Sequence, residues 1–180
     1  MRGAVFFISK YGSTAQYANW ISQETGLPLR GVKDTSPVPS DCDFLVVVSP
    51  VICQKLLIEG WVRRNLAHMA SKPVIMVTVS GAPAGPRLDA WIRDSLPPEL
   101  VSRMHHVALR GRQNPRVLSW FDRAMLIIGA LKNADPVARK EELGGFDFVD
   151  KSNIGTVVKL VRALHRTSSV IPLRTGVTKC

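Results

Sequence analysis

Acidic residues are scarce in this chain. Its 180 residues include 24 Lys and Arg against 14 Asp and Glu, a formal net charge of +10. Such an excess draws anionic lipid, anionic small molecules or nucleic acid. No RNA- or DNA-reading motif is present, and Arg63-Arg64 reads as a solvated helix face, so no nucleic-acid partner is expected. Cysteine is also scarce. Cys42, Cys53 and Cys180 are odd in number and form no CxxC pair. That argues against a disulfide framework or a structural zinc site and suits reduced thiols in a cytoplasmic protein. Long apolar runs are missing too. Phe44 to Val48 and Val74 to Val79 are strand-sized, and Leu126 to Leu131 is bounded by Arg123 and Lys132. None approaches the roughly 18 to 20 residues that cross a bilayer. The apolar start, Ala4 to Ile8, breaks at Ser9-Lys10-Tyr11-Gly12 without a small-residue cleavage site, so it reads as a first strand rather than a signal peptide. No metal site is expected. His105 and His106 are adjacent on a strand and point to opposite faces, while His68 and His165 lie near helix ends, where they complement the dipole.

What is present is an ordinary globular composition, 46% hydrophobic and 21% charged, long enough for one domain with its own core. No internal repeat and no second domain are visible. Strands are expected at Ala4–Ile8, Leu29–Val32, Phe44–Ser49, Pro73–Thr78 and His106–Leu109, the first, third and fourth of them buried. Helical spacing separates them at Thr14–Thr25, Leu56–Met69 and Leu88–Ser95, with another turn or two over Pro98–Arg103. Gly26 is the stop for the first helix, and Asp34–Ser40, with two prolines, is a loop. Continuous apolar strands need helices on both faces. The pattern therefore predicts an α/β fold with a doubly wound, five-stranded parallel sheet of order 2-1-3-4-5. A helix within Asn114–Lys132 and a charged loop, Asn133–Asp147, form an insertion of about residues 111–147 after the fifth strand. A last helix, Ser152–His165, with Ser152 or Asn153 as its cap, completes a domain over residues 1–166, and 167–180 read as a loose tail.

The first strand runs directly into Ser9-Lys10-Tyr11-Gly12-Ser13-Thr14, where a helix begins. A helix start offers unpaired N–H groups and partial positive charge. Gly12 lets the backbone close round an anion, and Ser9, Ser13 and Thr14 add hydroxyls. The loop is either a phosphate cradle or a polar β-to-α turn with a serine cap.

Ser9, Gly12 and Thr14 stand in the register of the flavodoxin signature Ser/Thr-x-Thr-Gly-x-Thr, with Tyr11 where many flavodoxins carry Thr. Over Ser9 to Ala18 the chain resembles the flavodoxin branch that includes menaquinone-dependent protoporphyrinogen oxidase. That branch carries an insertion after the fifth strand with a Trp-x-Asp-Arg-x-Met pattern, matched here by Trp120, Asp122, Arg123 and Met125. The resemblance implies FMN as cofactor, with its phosphate on residues 9–14. The ring would lie between the loops at the ends of the third and fourth strands, Ser49, Pro50, Val51, Ile52 and Cys53 on one side and Thr78, Val79, Ser80 and Gly81 on the other. Neither loop has the aromatic residue that flavodoxins often stack on the ring. Cys53 is either a thiol near the flavin or a small apolar filler.

The stretch from the fifth strand through the insertion's helix is rich in cations. Residues 110–140 hold seven cations against Asp122 and Asp135. Arg112, Arg116, Trp120, Arg123 and Lys132 are candidates for contact with an anionic membrane or with a carboxylate-bearing substrate. In the alternative, Trp120, Phe121, Met125 and Ile128 pack on the sheet edge and the arginines form a solvated rim. Three functions follow from the resemblance. The first is an FMN-dependent oxidoreductase that passes electrons from a protoporphyrinogen-like substrate to a quinone at the inner membrane face, and no acid or base is assigned for it. The second is an electron-transfer module docking an acidic redox protein. The third is a flavin-free interaction module.

Overall fold

The computed structural model describes residues 1–32, 38, 41–132 and 143–168, with the backbone alone for 125, 129–132, 167 and 168. The sequence features expected over 33–37, 39–40, 133–142 and the tail from 169 lie outside the described residues. Strands β1 (Gly3–Phe7), β2 (Leu29–Gly31), β3 (Phe44–Ile52), β5 (Val74–Ser80) and β6 (His105–Arg110) form one parallel sheet in the order β2-β1-β3-β5-β6. Strand β4 (Lys55–Leu56) folds back antiparallel on the end of β3. With β4 set aside, this is the 2-1-3-4-5 order expected for a doubly wound sheet.

Alternation along the central strands divides the core into two layers. Leu45 and Val47 of β3 and Met76 of β5 face helices α2 (Glu59–Met69) and α3 (Pro86–Ser95) and the short α4 (Pro98–Val101). Val46 and Val48 of β3 and Ile75 and Val77 of β5 face α1 (Ser13–Thr25) and the C-terminal helix (Gly155–Ser168). Because both faces are covered, β3 and β5 lack polar alternation. Phe6 stacks on the buried Trp61 of α2, with centroids 5.3 Å apart. Helix α1 ends at Gly26, whose left-handed backbone (φ 70°) returns a hydrogen bond to the Ser22 carbonyl.

Three details depart from the sequence reading. Strand β3 runs three residues beyond Ser49, to Ile52, and turns through Cys53 and Gln54 into β4. The last residues of the expected charged loop, Phe146–Asp147, instead form β8, an antiparallel ribbon with β7 (Arg112–Gln113). Finally, the segment before the C-terminal helix is capped by neither Ser152 nor Asn153. Asp150 accepts from the Ser152 N–H at 2.8 Å at the head of a 3-10 turn, Lys151–Ile154. The insertion's helix, α5, spans Trp120–Lys132 and so begins later than Asn114.

Candidate functional site

Strand β1 lies between β2 and β3, so the chain leaves it at the point where the sheet order reverses. In open α/β sheets that crevice is where ligands bind. Here it holds the loop Ser9–Gly12 and the start of α1. Gly12 has φ 93°, a conformation that L side chains rarely adopt, and a Cβ there would meet nothing within 4 Å. Ser9 Oγ accepts from the N–H groups of Gly12 and Ala15 at 3.2 and 3.3 Å. Two backbone donors thus converge on one oxygen at the positive end of the helix, as they would on a phosphate oxygen. The hydroxyl-bearing Ser13 and Thr14 are buried at the same helix end.

The loop is tied to the insertion. Asp122, 7% exposed, accepts a hydrogen bond from the Tyr11 hydroxyl and pairs with Lys10 Nζ at 2.5 Å. The Tyr11 oxygen accepts from the Ser119 N–H at 3.3 Å, and Ser119 Oγ caps α5 by accepting from the Asp122 N–H at 3.2 Å. Burial pushes the Asp122 carboxyl up, but hydrogen bonds from Lys10, Tyr11 and Ser119 outweigh it and hold the carboxyl below its ordinary value. The same bond from Asp122 raises Lys10. Both groups are therefore charged at neutral pH.

The second wall is the β3–β4 hairpin. Cys53 and Gln54 have φ of 50° and 66°, the two positive values that a two-residue hairpin turn requires. Neither is a residue that favours this region, and such strain is found at functional sites. Ser49 Oγ anchors the hairpin by donating to the Pro50 carbonyl at 3.0 Å and accepting from the Ile58 N–H at 3.2 Å. Ile52, Cys53, Leu56, Phe121 and Asp122 help line an open cleft of about 420 Å³, the size of ordinary ligand sites. Asp122 belongs to both the cleft and the loop. Burial raises the Cys53 thiol first, with Asp122 adding to it, so the group stays protonated at neutral pH.

The third wall is the end of β5. Ser80 Oγ donates to the Ala82 carbonyl at 2.8 Å. A Cβ on Gly81 would stand 2.4 Å from the Phe146 ring, so only glycine lets the ribbon lie on this loop. Phe146 stacks on Phe148, with centroids 5.0 Å apart, and the Arg110 guanidinium lies 3.9 Å from the Phe148 centroid. Arg110 Nε is buried without a hydrogen-bond partner. Tyr17 Oη donates to the Arg110 carbonyl and accepts from the Asp150 N–H, binding α1 to the end of β6.

Of the residues singled out in the sequence, Ser9 to Thr14 form one loop and helix start, and Val51 to Cys53 and Ser80-Gly81 stand at neighbouring strand ends. Ser49, Thr78 and Val79 are buried in the sheet, with Thr78 Oγ1 hydrogen-bonded to His106 Nε2 at 2.9 Å. Pro50 is also buried within β3. Arg112 pairs with Asp147 across the ribbon at 2.6 Å. Arg116, Trp120 and Arg123 are exposed, and the Lys132 side chain lies outside the described residues. The packing of Trp120, Phe121 and Ile128 on the sheet edge is not found, since all three are exposed. Sequence reasoning missed Asp122 as a partner of the loop. It also missed the aromatic walls, which come from the insertion. The pattern Ser119-x-x-Asp122 was a legible helix-start signal, but its partner on the loop was not. Among the described residues, no group of three His, Cys, Asp or Glu is placed to hold a metal ion.

The family model of the flavodoxin domain matches residues 4–133. Solved structures share the architecture at low identity. A flavodoxin from the domain Archaea is 15% identical, with a TM-score of 0.42, covering 88% of this chain and 99% of that one. The Trp repressor binding protein of Bacillus subtilis is 16% identical, with a TM-score of 0.43, covering 61% and 85%. A flavodoxin variant from Fusobacterium nucleatum, bound to flavin mononucleotide, is 12% identical, with a TM-score of 0.41, covering 66% and 73%. No curated protein sequence matches the chain. The family match spans most of the chain, including the whole parallel sheet and the loop at its switch point: this protein belongs to the flavodoxin domain family.

Proposed function

We propose that this chain is a flavoprotein oxidoreductase whose cofactor, FMN, is held by its phosphate on Ser9–Thr14. The observation that carries the reading is the loop itself, in which backbone donors converge on Ser9 Oγ at the start of α1, beside an open space over Gly12. The residues fit the group. Ser9, Ser13 and Thr14 supply hydroxyls, Gly12 permits close approach, and the helix end supplies the positive field. The hairpin at Val51–Cys53 and the loop at Ser80-Gly81 would flank the ring, with the aromatic surface coming from the insertion. Bound there, a flavin supplies hydride or single-electron exchange, while the protein orients it and tunes its electronics. Cys53 contributes as a protonated thiol at the turn rather than as a thiolate nucleophile.

The finer reading, oxidation of a protoporphyrinogen-type substrate with a quinone as acceptor, rests on the resemblance of Trp120, Asp122, Arg123 and Met125 to that branch. Purified protein is expected to be yellow or to become so on addition of FMN. Colourless protein that takes up no FMN refutes the flavin reading. Once reduced anaerobically, the loaded protein is expected to be reoxidised rapidly by a soluble menaquinone analogue and to turn over a porphyrinogen. Preference for a redox protein, with no porphyrinogen turnover, would instead mark an electron carrier.

A further inference from the structure

Helix α5 is mounted inside out. At about 100° per residue, Trp120, Phe121, Ile127 and Ile128 share one side and Asp122 points the other way. A helix on a globular protein turns its apolar stripe inward and its charges outward. Here the carboxylate faces the protein, fastened to Lys10 and Tyr11, and the apolar stripe faces solvent. Trp120 is 83% exposed and Phe121 55%. Of the nine exposed large hydrophobic side chains among the described residues, five (Val117, Trp120, Phe121, Ile127 and Ile128) fall within residues 117–128. Such a concentration marks a surface that meets something apolar.

The charges around it identify the occupant. Of the cations in residues 110–132, Arg110 stacks on Phe148 and Arg112 pairs with Asp147, which leaves Arg116 and Arg123 as the exposed guanidinium groups; the single acid of this stretch is Asp122. That acid is buried and paired, and the described residues of α5 include no other acid. Arg116 and Arg123 are exposed beside the stripe. A second copy of this face would bring like charges together. An indole beside a phenyl ring, with centroids 6.0 Å apart and planes at 87°, flanked by guanidinium groups, matches the boundary between headgroups and acyl chains of an anionic bilayer. We infer that the outward face of α5 docks this protein on an anionic lipid surface, with Trp120 and Phe121 entering the headgroup region and Arg116 and Arg123 pairing with lipid phosphates. The same helix holds the phosphate loop on its inner side, so the loop stands about one helix diameter, roughly 10 Å, from the lipid. The inference does not depend on a flavin occupying the loop.

The test is co-sedimentation of the full chain with vesicles of phosphatidylcholine alone and of phosphatidylcholine mixed equally with phosphatidylglycerol. The protein is expected to sediment with the mixed vesicles, with a blue-shifted tryptophan emission, and to remain largely free with phosphatidylcholine. The pair Trp120→Ser and Ile128→Ser is expected to abolish both the sedimentation and the shift. The pair Arg116→Gln and Arg123→Gln, which leaves the apolar stripe intact, should weaken binding about thirtyfold, from roughly 1 kcal/mol per cation at such a surface. Far-UV circular dichroism of both variants should match the parent. Three results would overturn the inference. They are no binding to the mixed vesicles, undiminished binding by both variants, or a lipid-free dimer that the serine variant dissolves, which would assign the face to a second copy.

Discussion

The contact between Asp122 and the phosphate loop makes a specific demand on the substitution Asp122→Asn. The carboxamide keeps an acceptor for the Tyr11 hydroxyl but loses its charge and turns donors toward the Lys10 ammonium. A hydrogen bond to a charged group contributes about 1.5–3 kcal/mol. Lys10 is 40% exposed, so its share is screened toward the 0–1 kcal/mol of surface pairs. The Tyr11 bond weakens without vanishing. The net cost is about 1–2 kcal/mol, placed on the docking of α5 rather than on the sheet. None of the partners of Asp122, namely Lys10, Tyr11 and Ser119, belongs to either core cluster. Amide hydrogen exchange is the assay, since it resolves local opening from global unfolding. Amides of residues 119–128 should exchange roughly tenfold faster in the variant, while amides of β3 and β5 and the urea midpoint remain unchanged. Equal exchange at 119–128 would refute the latch. A fall in the urea midpoint with no local change would refute the claim that the contact serves only the insertion.

Other consequences follow from the same geometry. Gly12→Val forces a β-branched residue to φ 93°, at about 1–3 kcal/mol, and should cut FMN affinity at least tenfold in a fluorescence titration while the far-UV spectrum holds. Gly81→Ala places a Cβ against Phe146, 2.4 Å away in the present packing, and should lift the β7–β8 ribbon, seen as lost near-UV signal and about 1–3 kcal/mol of stability in urea. Acid should release the latch. The folded Asp122 carboxyl titrates below its ordinary carboxylate value, so its stabilisation is present above that value and is lost as pH falls through the depressed one. The emission of Trp120, isolated by difference against Trp120→Phe, should therefore change at acid pH below about 3.8 and stay flat between pH 5 and 8.

The parallel sheet was legible because its strands are buried on both sides. Phe44 to Val48 and Val74 to Val79 cannot be amphipathic, and only a helix-covered parallel sheet uses such runs at strand length. The loop Ser9–Thr14 was legible as a turn at a helix start because its signals are local: a strand, a glycine and a helix start within six residues. The rest depends on contacts distant in sequence. Two-residue strands carry no periodicity, so β4 and the pairing of Arg112–Gln113 with Phe146–Asp147 left no trace. The hairpin turn was hidden as well, because Cys53-Gln54 is not one of the glycine or asparagine pairs that announce such turns. Least legible was the orientation of α5. Its apolar spacing left open whether the stripe packs on the sheet edge or faces outward, and Asp122 takes the inner face because Lys10 and Tyr11, more than a hundred residues earlier, satisfy its charge. An aromatic ring absent from the strand-end loops likewise comes from afar, where Phe146 packs against Gly81.

The central claim is that Ser9–Thr14 hold a phosphate, and comparison of FMN with riboflavin tests it most directly, because the two differ only in that group. Titrated into flavin-free protein and followed by quenching of flavin fluorescence, FMN should bind on the order of a hundredfold more tightly than riboflavin. That ratio corresponds to about two charge-assisted hydrogen bonds from the helix start. The double substitution Ser9→Ala and Thr14→Val should remove most of the difference by weakening FMN and leaving riboflavin unchanged. Equal affinity for the two flavins, or a preference for FMN that survives the double substitution, would contradict the account.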